Sequence, residues 1–297
     1  IDEIYYVNLG VSFNKKKIIN FLEKKKIYSK IYVKLRKYYF ELGKNIKLSE
    51  TEFNKIYDKI ETLHICSPAR THFRFLKKNI KLNRIIIEKP FLNNLSQFKN
   101  IQNLISDKNF LLVNYTYLFS PITKKIPKEI NKKSLKKITI NFSNKDRFYK
   151  KKFDSIYDWL DHPLSIILYL FKKFPKSEIK KVEIIKNKGF YEKIIIDYNF
   201  DEFMLKVKIN NSNKNVKNLS LNNGKIINFN FKKNLISNQK KKIYKGKITS
   251  FDTLYSVLKN KTQLDFQTLK FHKNILIEKN KILKKIKKYS QYYDQSK

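Results

Sequence analysis

Cysteine occurs once in 297 residues, at Cys66, alanine once, at Ala69, and glycine five times. A single cysteine excludes an intrachain disulfide framework and a cysteine-rich zinc site. It reads as a small buried strand residue and suits a reducing compartment. The four histidines, His64, His72, His162 and His272, are scattered without ligand spacing, so no catalytic metal is expected. No apolar run reaches the roughly eighteen residues of a membrane span. The opening IDEIYYVNLG has no basic segment followed by a long apolar stretch, so a secretory signal is not expected either, and a cytoplasmic location is the expectation. Acidic residues are scarce as well: 25 Asp and Glu stand against 66 Lys and Arg, a net charge of +41.

That charge raises a nucleic-acid reading. Lys, Asn, Ile, Tyr and Phe, however, all have AT-rich codons, and an AT-rich genome enriches lysine wherever a surface tolerates it. Codon bias leaves the shortage of Asp and Glu unexplained. Lysine is spread along the chain rather than gathered into an arm, and no nucleic-acid module is recognisable, so nucleic acid is a disfavoured partner. A membrane surface is weaker still, the tail alone combining basic and apolar faces. The 41% hydrophobic content suffices for a sizeable core.

The chain alternates short apolar runs with amphipathic segments. IYYVNLG (4–10), IYVKLR (31–36), TLHICSP (62–68), RIIIEKP (84–90) and FLLVNYTYLF (110–119) read as strands. Helices are expected at 14–26, 53–60, 72–82 and 93–108, the last capped by Asn or Ser. Continuous apolar strands alternating with helices indicate a parallel sheet covered on both faces, a doubly wound α/β domain spanning 1–121. From 122 to 297 the pattern becomes α+β. Strand-like runs at 136–144, 181–189, 191–200, 202–210, 215–223 and 225–231 suggest an open, mostly antiparallel sheet. An apolar helix is expected over 155–174, a hairpin turn at 222–224 and a long amphipathic helix at about 265–291.

Four local patterns carry chemistry. ICSPARTH (65–72) follows a strand and places Ser67, Pro68 and His72 at its carboxyl end, where ligands sit in doubly wound sheets; the structural alternative is a proline-terminated turn. IIIEKP (85–90) sets Glu88 and Lys89 directly after three isoleucines. Charges there face a pocket, or else form an ordinary surface turn. Lys89 in a pocket can polarise a hydroxyl and ease its proton loss. VNYTYLFSP (113–121) offers Asn114 and Tyr117 to a substrate cleft, with core packing as the alternative for the aromatic rings. DWLDH (158–162) spaces Asp158 and His162 by four, so on a helix they share a face, the aspartate orienting a proton-accepting imidazole. A surface Asp–His pair is the competing reading, and Asp161 is structural.

The order strand–SPxxxH, strand–EKP, a strand ending in FSP, then DxxxH before an apolar helix resembles the Gfo/Idh/MocA oxidoreductases over nearly the whole chain. The resemblance implies a Rossmann domain and a second domain whose open sheet often forms the oligomer interface, hence a homodimer or homotetramer. It implies NAD- or NADP-dependent oxidation of a hydroxyl on a sugar, cyclitol or nucleotide sugar, with Lys89, Asp158 and His162 as catalytic residues and a Lys89–Pro90 peptide that is often cis. DWLDHPLSI is nearest to members encoded with surface-polysaccharide or nucleotide-sugar genes.

The chain departs from that pattern in places. Dinucleotide folds use G-x-G-x-x-G after the first strand. Here Asn8, Gly10, Val11 and Ser12 occupy that turn, only the middle glycine is present, and Phe13 replaces the last one. Lys34 and Arg36 stand where an acidic ribose ligand is expected. They suit an NADP 2′-phosphate, and lysine bias explains them equally well. Ser165 replaces an aspartate that family members often carry three residues past the histidine. A sugar- or nucleotide-binding relative without turnover is therefore the alternative function, and a nucleic-acid binder a further one.

Overall fold

A computed structural model describes residues 62–65, 69–105, 110–131, 133–144, 155–174, 179–187, 190–199, 202–211, 215–238, 241–260 and 264–294. The strands and helices expected before residue 61 lie outside these residues.

The first described unit runs β1 (Thr62–Ile65), α1 (Ala69–Asn79), β2 (Arg84–Glu88), α2 (Leu95–Gln102) and β3 (Phe110–Asn114). The three strands are parallel and adjacent in chain order, with Ile65 beside Ile87 and Glu88 beside Asn114. Ile85, Ile86 and Ile87 are all buried, as a strand covered on both faces requires. α1 buries His72, Leu76 and Asn79, one stripe of a helix. α2 starts where Asn94 accepts the Gln97 backbone N–H at 2.9 Å, while the Gln97 side chain accepts the Asn93 N–H at 3.2 Å. β3 stops at Asn114, five residues short of the expected end, because Tyr115–Ser120 winds into successive turns before the short helix α3 (Ile126–Glu129).

The second unit is an eight-stranded sheet in the order β11-β10-β9-β8-β4-β7-β6-β5. Its strands are β4 (Lys137–Asn144), β5 (Ile179–Asn187), β6 (Phe190–Asn199), β7 (Met204–Asn211), β8 (Val216–Asn222), β9 (Ile226–Asn230), β10 (Leu235–Asn238) and β11 (Lys241–Lys245). Every neighbouring pair is antiparallel except β4 and β7. The expected hairpin is present: Gly224 takes φ +86° and its N–H bonds Asn222 Oδ1 at 3.2 Å. One face buries Ile138, Ile140, Phe142, Ile194, Ile196, Leu205, Val207, Leu219 and Leu221. The opposite face is polar, with Lys206 bridging to Asp197 at 3.3 Å and Ser220 donating to Asn228 at 2.6 Å.

Residues 155–174 do not form one helix. A π-helical turn covers Ser155–Trp159, and α4 (Asp161–Phe171) begins after Leu160. β10, β11 and α5 (Ser250–Lys259) were not apparent in the sequence. α5 opens with a reciprocal cap, Thr249 N–H on Asp252 Oδ2 at 2.7 Å and Asp252 N–H on Thr249 Oγ1 at 3.2 Å.

The tail helix α6 (Leu269–Asp294) ties the two units together. Just before it, Gln267 uses its side-chain amide as a strand would, accepting the Val113 N–H at 2.8 Å and donating to the Val113 carbonyl at 3.1 Å. His272 packs 5.1 Å from the Phe91 ring and 5.7 Å from that of Tyr115. Further along, Lys279 makes a buried ion pair with Asp161 at 2.5 Å, anchoring the first turn of α4. Among the described residues no helix is long and apolar enough to cross a membrane.

Candidate active site

The parallel strands are apolar along their middles and gather His64, Glu88 and Asn114 towards the carboxyl edge. Glu88 ends β2; its Oε1 accepts the Asn114 amide at 2.7 Å and lies 3.3 Å from His64 Nε2. Burial pushes the Glu88 pKa up, but the hydrogen bonds from His64 and Asn114, with the charges of His64 and Lys89, outweigh it. The net shift is downward, and Glu88 remains a carboxylate. Asn114, expected to meet substrate, thus spends one amide N–H on Glu88. Its Oδ1 receives the Thr116 hydroxyl at 3.3 Å.

Lys89 follows at once, and the Lys89–Pro90 peptide is cis. His72, expected to face a cofactor, is buried in α1 with Nδ1 2.8 Å from the Pro90 carbonyl oxygen. A carbonyl only accepts, so Nδ1 carries the proton and the ring pins the turn bearing Lys89.

The facing wall comes from the π-helical turn and α4. His162, 4% exposed, meets Tyr117 edge-on at 4.8 Å, Trp159 at 5.4 Å and a stacked Phe142 at 6.1 Å. Its Nδ1 is buried with no hydrogen-bond partner among the described residues. Burial, then the charges of Lys89, Lys217 and Lys279, hold its pKa well below the usual histidine value. The imidazole is neutral at neutral pH and able to accept a proton. Ser165 donates its hydroxyl to the His162 carbonyl at 2.8 Å, a bond within the helix. Tyr117 is pushed by burial to a higher pKa and stays protonated. Asp158 lies on the π-helical turn, but its side chain falls outside the described residues.

Both walls converge on one indole. Lys89 Nζ lies 5.5 Å from the Trp159 ring centroid, and the His162 ring lies 5.4 Å from it on the other wall. A third element joins them, which sequence reasoning missed. Lys217, at an inward position of β8, sets its Nζ 3.7 Å from the Trp159 centroid and donates to the Ser143 carbonyl at 2.6 Å. Burial, then the charges of Lys232 and Lys89, bring its pKa down to about 7. Among 66 basic residues nothing in the sequence marks Lys217, except that it takes a core position in the alternation of VKNLSLN.

Of the other candidate residues, Asn8, Gly10, Val11, Ser12, Lys34, Arg36, Ser67 and Pro68 lie outside the described residues. No cluster of three His, Cys, Asp or Glu side chains able to hold a metal occurs among the described residues.

No family model matches the sequence, and no relative is found among curated proteins. Solved structures do match. UDP-N-acetylglucosamine 3-dehydrogenase from Acidithiobacillus ferrooxidans superposes with TM-score 0.63 at 10% identity, covering 77% of this chain and 79% of that one. Levoglucosan dehydrogenase in complex with NADH and levoglucosan gives 0.61 at 14% identity over 80% and 81%. A Gfo/Idh/MocA family oxidoreductase from Vibrio cholerae gives 0.57 at 12% identity over 82% and 89%. The fold is therefore the one these proteins share, a Rossmann-type parallel sheet followed by an α+β unit with an open sheet.

Proposed function

We propose that this chain is a Gfo/Idh/MocA-type oxidoreductase that uses NAD or NADP to oxidise or form a hydroxyl on a sugar, cyclitol or nucleotide sugar. The observation that carries the reading is the convergence on Trp159 of Lys89, from a first-sheet strand end, and His162, from the helix of the second unit.

Each residue has a defined task. The Lys89 ammonium polarises the reacting hydroxyl and stabilises the oxygen as its proton leaves. His162, neutral and with an unsatisfied buried nitrogen, receives that proton; Asp158 orients the ring. Tyr117 and the half-buried Trp159 form an apolar wall for the sugar ring, and Asn114 with Glu88 borders it on the first-sheet side.

The residues present fit a nicotinamide cofactor. His64, Glu88, Lys89 and Asn114 gather polar groups at the carboxyl edge of a parallel sheet, where such ligands lie, and His162 Nδ1 is buried without a hydrogen-bond partner among the described residues. When bound, the nicotinamide supplies the hydride acceptor or donor. We assign residues 1–121 to its binding, with Asn8, Gly10, Val11 and Ser12 at the pyrophosphate, Lys34 and Arg36 at the ribose, and Ser67, Pro68 and His72 nearby. Residues 122–297 hold the substrate and form a homodimer or homotetramer. A cytoplasmic role in surface-polysaccharide synthesis fits the sugar-directed reading.

Calorimetric titration with NADH and NADPH, joined to an absorbance assay over a sugar panel, tests this reading. It predicts binding of one dinucleotide and reduction of its oxidised form by at least one sugar. Binding without turnover on any sugar favours a non-catalytic relative, and no binding at millimolar dinucleotide overturns the reading.

A further inference from the structure

Resting on the oxidoreductase reading above, we propose that the substrate is an anionic sugar, whose carboxylate or phosphate is held by Lys217.

Position comes first. β8 points Lys217, Leu219 and Leu221 into the same core, and Lys217 is only 5% exposed there. Burying an ammonium without a counter-ion lowers stability, and a leucine or methionine would pack such a position better. The lysine therefore answers to something other than the core.

Among the described residues its bonding is incomplete. An ammonium carries three donors. One reaches the Ser143 carbonyl at 2.6 Å, and the Trp159 face, 3.7 Å away, takes the charge from a second side. The charged groups that act on Lys217 among the described residues, Lys232 and Lys89, are both cations. A neutral hydroxyl supplies an acceptor but leaves this repulsion; an oxyanion relieves both.

The geometry also sets where the charge sits. Lys89 and Lys217 address the same indole from the first-sheet edge and from β8, with the His162 ring beside it. A sugar whose reacting hydroxyl meets Lys89 and His162 turns another substituent towards Lys217. Tyr117, Phe142 and Phe231 back this corner, with Phe142 5.6 Å from Lys217 Nζ and Tyr117 5.4 Å from Phe231. Lys217 and Phe142 are both buried, so a pairing of opposite charges is stronger there than at the surface.

The test is equilibrium binding to the full chain, with and without NADH, of matched probes: glucose against glucuronate, UDP-glucose against UDP-glucuronate, and glucose 6-phosphate. The wild type is expected to prefer an anionic member by about tenfold or more. A preference for glucuronates names a carboxylate, and one for glucose 6-phosphate names a phosphate. Lys217→Met is expected to abolish the preference and raise the melting temperature, while Lys217→Arg keeps the preference in part. Equal binding of glucose, glucuronate and glucose 6-phosphate, no binding of any anionic probe, or a preference that survives in Lys217→Met overturns the proposal. The oxidoreductase reading fails differently: the preference and its loss are seen, yet no sugar of either class yields NADH.

Discussion

β2 and β8 both deliver a lysine to Trp159, and they do it by opposite means. β2 is apolar on both faces from Ile85 to Ile87, so its charges stand at its ends, Arg84 before the run and Glu88 with Lys89 after it. β8 lies in a sheet with one dry and one polar face, and its lysine sits within the strand on the dry side. A doubly covered sheet sorts its chemistry to the edge by burial alone. A one-sided sheet supplies chemistry from the interior only by breaking its own alternation, and that break lowers stability at the site.

The difference predicts different responses to substitution. Removing the strand-end and helix groups strikes chemistry and spares the fold. Lys89→Ala and His162→Ala are each expected to lower turnover by about 10²–10⁴-fold with unchanged circular dichroism, read by steady-state NADH absorbance. Near-normal rates in either variant break the assignment.

The buried pair that anchors α4 strikes the fold. Lys279→Met leaves Asp161 charged and unpartnered, and is expected to cost about 3–5 kcal/mol in denaturant unfolding. A small loss would mean that α4 is held by its apolar face alone.

Acid separates the two units by histidine. Burial holds His272 down to about 3 and His162 well below its ordinary value. Both are neutral when folded, whereas the unfolded chain protonates them below about 6.5. Their stabilising effect is therefore complete above that value and is lost as pH falls towards 3. At pH 5 His272 accounts for roughly 2 kcal/mol of that loss, and His272→Phe should remove its share from the pH dependence of unfolding.

The smallest effect belongs to the edge of the first sheet. Gln267→Ala strips both bonds from the Val113 backbone and should cost about 1–3 kcal/mol, with faster amide exchange confined to β3. Exchange that rises equally in β8 would show that the two sheets unfold as one unit.

The same contrast explains what the sequence discloses. Glu88 and Lys89 were legible because two charges after three isoleucines violate a continuous apolar run. The hairpin at 222–224 was legible because Asn and Gly supply its positive φ. Lys217 was hidden, since a lysine in an alternating strand of a lysine-rich chain reads as solvent-facing. β11 was hidden for the same reason, its KKIYK carrying the lysine excess that also fills loops, and β10, LISN, is too short to show an alternation. The break between Trp159 and Asp161 went unread although Pro163, which fits only the first turn of a helix, marks a start there. Asp161 and Lys279, 118 residues apart, meet only through the docking of α6.

A double-mutant cycle on turnover tests most directly whether Lys89 and His162 form one reaction centre between the sheets. Acting on the same hydroxyl, they make the double alanine variant no slower than the worse single variant, within about threefold. Losses that multiply across the cycle would mean that the two residues work independently, and the shared cleft would be contradicted.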